Sequence, residues 1–128
     1  MIRILLLALA IGFFRSVTSV CTESDKSLWY QNEEFTKEYL SIAQFSGGIK
    51  TLARSKFKDR FSLMSEECRE CHVNMIACGA RHCLTKCGKP KSEDCHSCVT
   101  RYCMEPYMEC LGYRNIDDLP IPAHKLTR

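Results

Sequence analysis

Ten cysteines in 128 residues are the side chains with most chemistry to offer, and nine of them fall between Cys68 and Cys110. Closely spaced thiols attach haem, bind metal ions or oxidise to one another, and their spacing and compartment separate these outcomes. Cys68-Arg69-Glu70-Cys71-His72 matches the C-x-x-C-H pattern of covalent haem attachment. Cys68-x-x-Cys71 and Cys95-x-x-Cys98, with His72 and His96 beside them, have the form of two halves of a zinc site. Haem would leave eight cysteines unexplained and zinc six, so neither a metal nor another cofactor is expected. An even number of cysteines in an exported chain reads as five disulfides.

The first residues point to export. Arg3 precedes a near-continuous apolar run from Ile4 to Phe14, followed by Val17, Thr18 and Ser19. That run is too short to span a bilayer as a helix, and it has the layout of a secretory signal peptide over 1–19, with cleavage after Ser19. No later run is long and apolar enough to span and no hydrophobic tail follows, so a soluble, extracellular product with no stable membrane anchor is expected. Of eighteen Lys/Arg, Arg3 and Arg15 lie in the leader, leaving sixteen against fifteen Asp/Glu and a net charge of +1. Such a balance gives no reason to expect nucleic acid as a partner. None of Asn32, Asn74 and Asn115 sits in an N-glycosylation acceptor.

The cysteines are positioned by helices. Ser24 or Asp25 can cap a helix over 24–45 in which Leu28, Phe35, Tyr39 and Ile42 recur at helical spacing, and Gly47-Gly48 ends it. Ile49, Leu52, Ala53, Phe57, Phe61 and Met64 form a second apolar stripe, with Lys50, Arg54, Lys56, Lys58 and Arg60 on the remaining surface. Residues 20–64 are thus read as an N-terminal segment of two amphipathic helices. From 65 to 112 the chain is read as a cysteine-rich helical hairpin. Ser65-Glu66-Glu67 and Ser92-Glu93-Asp94 start its two arms, Gly88-Lys89-Pro90-Lys91 turns between them, and Gly112 ends the second. Pro106 argues for a kink near Cys103 or an early end. Residues 113–128, with Pro120 and Pro122, are expected to be an extended or disordered tail.

Folded about the turn, the cysteines mirror one another. Cys87 meets Cys95, Cys83 meets Cys98, Cys78 meets Cys103 and Cys71 meets Cys110, the paired numbers adding to 182, 181, 181 and 181. Antiparallel helices rise equally per residue, so equal distances from the turn put partners at equal heights. The pattern predicts a four-rung ladder, with Cys68 left for Cys21. Two features strain it. Packed helices normally lie 8 to 10 Å apart, farther than a disulfide reaches, and Ala77, Gly79 and Ala80 are the small residues expected to permit closer approach. An ideal helix also turns about 140° between Cys78 and Cys83, calling for local unwinding near Gly79 or an exchange of the two inner pairs.

The fold class expected is therefore all-α: a small disulfide-rich helical domain with a cystine-laddered antiparallel helical hairpin. Over Cys83 to Cys98 it resembles in outline the plant α-hairpinins, helix-turn-helix peptides with nested cystine pairs, although one arm here is spaced C-x-x-C. No nucleophile, base and orienting group form a recognisable set, and Val73 and Ser97 after His72 and His96 exclude the His-Asp pair of secreted phospholipases A2. No catalytic residue is assigned. The function expected is non-enzymatic binding of an extracellular or cell-surface protein by a ligand, effector or toxin-like factor. Lys89, Pro90 and Lys91 on the turn and Trp29-Tyr30 are the candidate contacts. Two alternatives are a membrane-active cationic defence protein using helix 49–64 and a protease inhibitor presenting loop 88–91.

Overall fold

A computed structural model describes residues 20–29, 32–89 and 92–114. The elements are α1 (Glu23–Ser27), α2 (Glu33–Ser46), α3 (Lys50–Arg60), α4 (Glu66–Cys83), a 3-10 turn (Lys86–Gly88), α5 (Glu93–Val99), a π turn (Thr100–Met104) and α6 (Glu105–Leu111). No strand occurs among the described residues. The protein is a small, disulfide-rich, all-helical domain.

Local chemistry sets most boundaries. Thr22, rather than Ser24 or Asp25, caps α1: its hydroxyl accepts from the Asp25 N–H while its own N–H donates to the Asp25 carboxylate, a reciprocal capping box. The single helix expected over 24–45 is two, because Asn32 caps α2 by accepting from the N–H groups of Glu34 and Phe35. Gly47, at φ 55°, closes α2 in the left-handed region that costs glycine nothing. Ser65 and Ser92 cap α4 and α5 through the N–H groups of Cys68 and Cys95.

The core lies between α4 and the N-terminal helices. Ile42 of α2, Ala53 and Phe57 of α3, and Val73 and Ile76 of α4 form one buried cluster. Trp29, Phe35, Met64, Met104 and Leu111 form another around Cys21, Cys68 and Cys71. Tyr39 and Phe61 pack against both and make the core continuous. The stripe expected on α3 is only partly a core face. Ala53 and Phe57 are buried, whereas Ile49 and Leu52 are 56% and 41% exposed, because Ile49 sits on the corner where α2 turns into α3.

The five bridges are Cys21–Cys68, Cys71–Cys110, Cys78–Cys103, Cys83–Cys98 and Cys87–Cys95, with Cα separations of 4.7, 5.7, 5.8, 5.8 and 4.5 Å. These are the pairs the mirrored spacing gives. The strain in the ladder is relieved elsewhere than expected. Gly79 stays inside an unbroken α4, and the adjustment falls on the opposite arm, where the π turn separates Cys98 from Cys103. A π turn closes i→i+5, so five residues come nearer one full turn than on an α-helix. The same turn accommodates Pro106, which lies in the first turn of α6, and the helix runs on to Leu111. Nor do the small residues of α4 serve the disulfides alone. A Cβ on Gly48, at φ 85°, would overlap the Ala80 side chain, so Ala80 admits the α2–α3 corner.

Candidate functional site

Two places concentrate chemistry: the interior around His72 and the far end of the hairpin. His72 is 1% exposed and ringed by Trp29, Phe35, Tyr39, Phe57 and Tyr107, with ring centroids 5.2 to 6.1 Å away. Its Nδ1 is 2.8 Å from the Tyr107 hydroxyl, and its Nε2 has no hydrogen-bond partner among the described residues. Burial among rings penalises the imidazolium and pushes the His72 pKa down to about 3, a nearby Asp25 carboxylate opposing only weakly. Burial likewise raises the phenol pKa of Tyr39 and Tyr107. The interior therefore holds a neutral imidazole, itself 1% exposed, beside the protonated phenols of Tyr39 and Tyr107, which are partly buried.

The sulfurs of the C-x-x-C-H motif are each committed to another cysteine, Cys68 to Cys21 and Cys71 to Cys110. Those of Cys95 and Cys98 pair with Cys87 and Cys83. The thiolates that haem attachment or zinc binding needs are thus oxidised. Among the described residues no cluster of three or more His, Cys, Asp or Glu has the arrangement to hold a metal ion.

Sequence reasoning passed over Asp25 except as a helix cap. The buried carboxylate accepts from the Ser65 N–H at 2.8 Å, the Ser65 hydroxyl at 2.7 Å and the Thr22 N–H at 3.0 Å, tying the start of α1 to the start of α4. Burial alone would raise its pKa, but the hydrogen bonds from Ser65 and Thr22 prevail and hold it below the usual carboxylate value. On the surface of α3, Arg54 grips Glu70 of α4 through two bonds of 2.9 and 2.7 Å. That grip, aided by Lys50, lowers the Glu70 pKa against a smaller effect of burial. Glu70 belongs with Glu66 and Glu67 to an open groove of about 520 Å³, yet its charge is already spent on Arg54.

The candidate contacts are dispersed. Trp29, offered as a partner contact, is 1% exposed and lies against Phe35 and His72; the turn after α1 carries its indole inward, so it cannot anchor a partner. Tyr30, Pro90 and Lys91 lie outside the described residues, as do the proposed leader and most of the tail. Lys89 is exposed at the hairpin's end. Elsewhere on the outer arm, Leu84 and Tyr102 are 70% and 46% exposed, and the Tyr102 ring stacks on His82 at 5.0 Å with the Arg101 guanidinium 5.3 Å from its centroid. Nothing in the sequence pattern separated these two from core residues: Leu84 lies just past the end of α4, and Tyr102 lies within the π turn, which sets the way that stretch of helix faces.

Over residues 78–103 the only buried side chains among those described are Cys83, Cys95 and Cys103. The outer arm has no apolar core of its own and is held by cystine. Comparison with protein-family models, curated proteins and solved structures returns no match.

Proposed function

We propose that the protein is exported and acts outside the cell as a non-enzymatic binding protein whose recognition surface is the outer end of the cystine-laddered hairpin. The observation that carries this reading is the arm's construction. Three disulfides, Cys78–Cys103, Cys83–Cys98 and Cys87–Cys95, order a segment in which, among the described residues, no apolar side chain other than cysteine is buried. Such an arm contributes little to a hydrophobic core, but it presents Leu84, Lys89 and Tyr102 on a scaffold whose ordering cost is met before a partner arrives. Exposed tyrosine beside arginine is the composition favoured at interface hot spots, and His82 and Arg101 hold the ring in place.

The dense cystine content and the absence of a membrane-length apolar helix among the described residues are compatible with an extracellular location. His72 and Tyr107 bond to each other in the interior, and among the described residues neither His82 nor His96 is hydrogen-bonded to a hydroxyl, thiol or carboxylate. This supports binding over catalysis. The test is affinity capture from extracellular fluid and solubilised cell surfaces with the wild-type protein and a Leu84→Ser/Tyr102→Ser variant. A partner retained by the wild type and lost by the variant, whose five bridges remain intact, is the expected result. Equal capture by both removes the outer arm as the recognition surface.

A further inference from the structure

The tip of the hairpin depends on a single bridge. Between Leu84 and Ser97 the only buried side chain among the described residues is Cys95, and its sulfur is bonded to Cys87. The other ties across the tip are hydrogen bonds of Ser92. Its hydroxyl donates to the Lys86 carbonyl at 3.4 Å and its N–H to the Lys89 carbonyl at 3.0 Å. No described apolar side chain of this stretch belongs to either core cluster or packs against one. A segment with so few buried contacts opens at low free-energy cost once its covalent tie is cut.

The same bridge is also the most open to solvent. Each of the other four includes a cysteine almost without exposure: Cys68 and Cys83 at 0%, Cys71 and Cys103 at 1%. In the tip bridge Cys95 is 7% exposed and Cys87 is only partly buried, on a 3-10 turn whose neighbours Lys86, Gly88 and Lys89 are all exposed. Thiol–disulfide exchange requires a thiolate to reach one of the two sulfurs, so its rate follows access. Cys87, the more exposed member of the pair, is the point of attack. The weakest covalent protection therefore coincides with the segment that has no other means of staying ordered.

We propose that Cys87–Cys95 is a redox-sensitive latch: a small thiol of the glutathione class opens it before the other four bridges and frees residues 84–97, while the helical body stays folded. The first thiolate attacks the Cys87 sulfur, the S–S bond breaks, and Cys95 leaves as a thiolate that takes up a proton. A second thiol attacks the mixed disulfide. Cys87 and Cys95 are then both reduced, and the two small thiols depart joined as one oxidised disulfide. The body persists because every member of both core clusters lies outside 84–97. Re-oxidation rejoins two cysteines separated by 8 residues, and the Cys83–Cys98 rung below keeps the ends of that loop together. The consequence for binding rests on the outer-arm reading: Leu84 and Lys89 lie within the freed segment and Tyr102 beyond it, so opening divides the recognition surface.

The test holds the disulfide-bonded protein in buffers of increasing reduced-to-oxidised glutathione ratio, traps free thiols with N-ethylmaleimide and maps the labels by mass spectrometry. Hydrogen exchange is measured in the same buffers. Cys87 and Cys95 should be labelled at a ratio about tenfold or more below the one that labels any other pair. At that ratio the amides of 84–97 should exchange about tenfold or more faster, with those of 66–76 unchanged. Cys87→Ser/Cys95→Ser should show the fast exchange of 84–97 with no thiol added; if that variant does not fold, the wild-type titration decides by itself. Labelling of several pairs together, earlier labelling of another pair, or unchanged exchange of 84–97 once Cys87 and Cys95 are reduced overturns the proposal. None of these readouts involves a partner, so the latch and the outer-arm reading fail separately.

Discussion

His72 makes the interior sensitive to acid. Its folded pKa of about 3 lies below the ordinary value of 6.5, so the unfolded chain binds the proton first as pH falls. The stability linked to this group is full above about pH 6.5, declines toward pH 3 by several kcal/mol, and falls no further from this cause. Asp25, whose pKa is also lowered, adds a separate loss that begins only in the carboxylate range and continues as pH falls through its folded value. Guanidinium titrations at pH 7, 6 and 5 should therefore show the midpoint falling across a window in which no carboxylate of ordinary pKa is yet mostly protonated. His72→Phe/Tyr107→Phe removes both members of the buried hydrogen bond at similar volume and should flatten that decline. If the double variant keeps the wild-type pH slope, buried His72 is not its source.

At the scale of elements, two glycines in different settings make opposite predictions. Gly48 has φ 85° and no room for a Cβ against Ala80. Gly48→Ala should destabilise the protein by about 1–3 kcal/mol, by forcing α3 away from α4 and by straining the backbone. Gly79 lies inside α4 with nothing within 4 Å of where an alanine methyl group would sit. Gly79→Ala should stabilise by about 0.5–1 kcal/mol through helix propensity alone. Denaturant midpoints of the two variants check both signs. The outcome also bears on the ladder: if α4 needed to unwind at Gly79 to align its rungs, alanine there would cost stability rather than add it. The π turn of the opposite arm instead provides the alignment, which no residue between Thr100 and Met104 announces in the sequence.

For the whole molecule, covalent closure and core burial act on different halves. The Cys21–Cys68 bridge closes 47 residues and Cys87–Cys95 closes 8. On the chain-entropy account their removal as Ser pairs costs about 4 and about 2.5 kcal/mol respectively. Urea or guanidinium unfolding of the two double variants measures the difference; the reverse order would show that strain or residual structure outweighs loop length. The N-terminal segment is not an appendage, since Ala53 and Phe57 are fully buried against α4. Proteolysis in the α3 region should leave the pieces joined through Cys21–Cys68, and reduction should then expose the apolar face of α4, read as a rise in binding of a hydrophobic dye.

The helical class, the caps at Ser65 and Ser92, the stop at Gly47 and the nested cystine pairs are all legible in the order of residues. They are properties of rise per residue and of local hydrogen bonding, and both can be counted along one dimension. Packing in three dimensions was needed to establish that Trp29 turns inward, that Ile49 and Leu52 stay outside, that Asp25 bonds across forty positions to Ser65, and that His72 sits neutral within five rings. Those outcomes depend on which face of each helix meets which neighbour. A stripe of apolar residues states that a face exists, and the packing of α2 and α3 against α4 fixes how much of that face finds a partner.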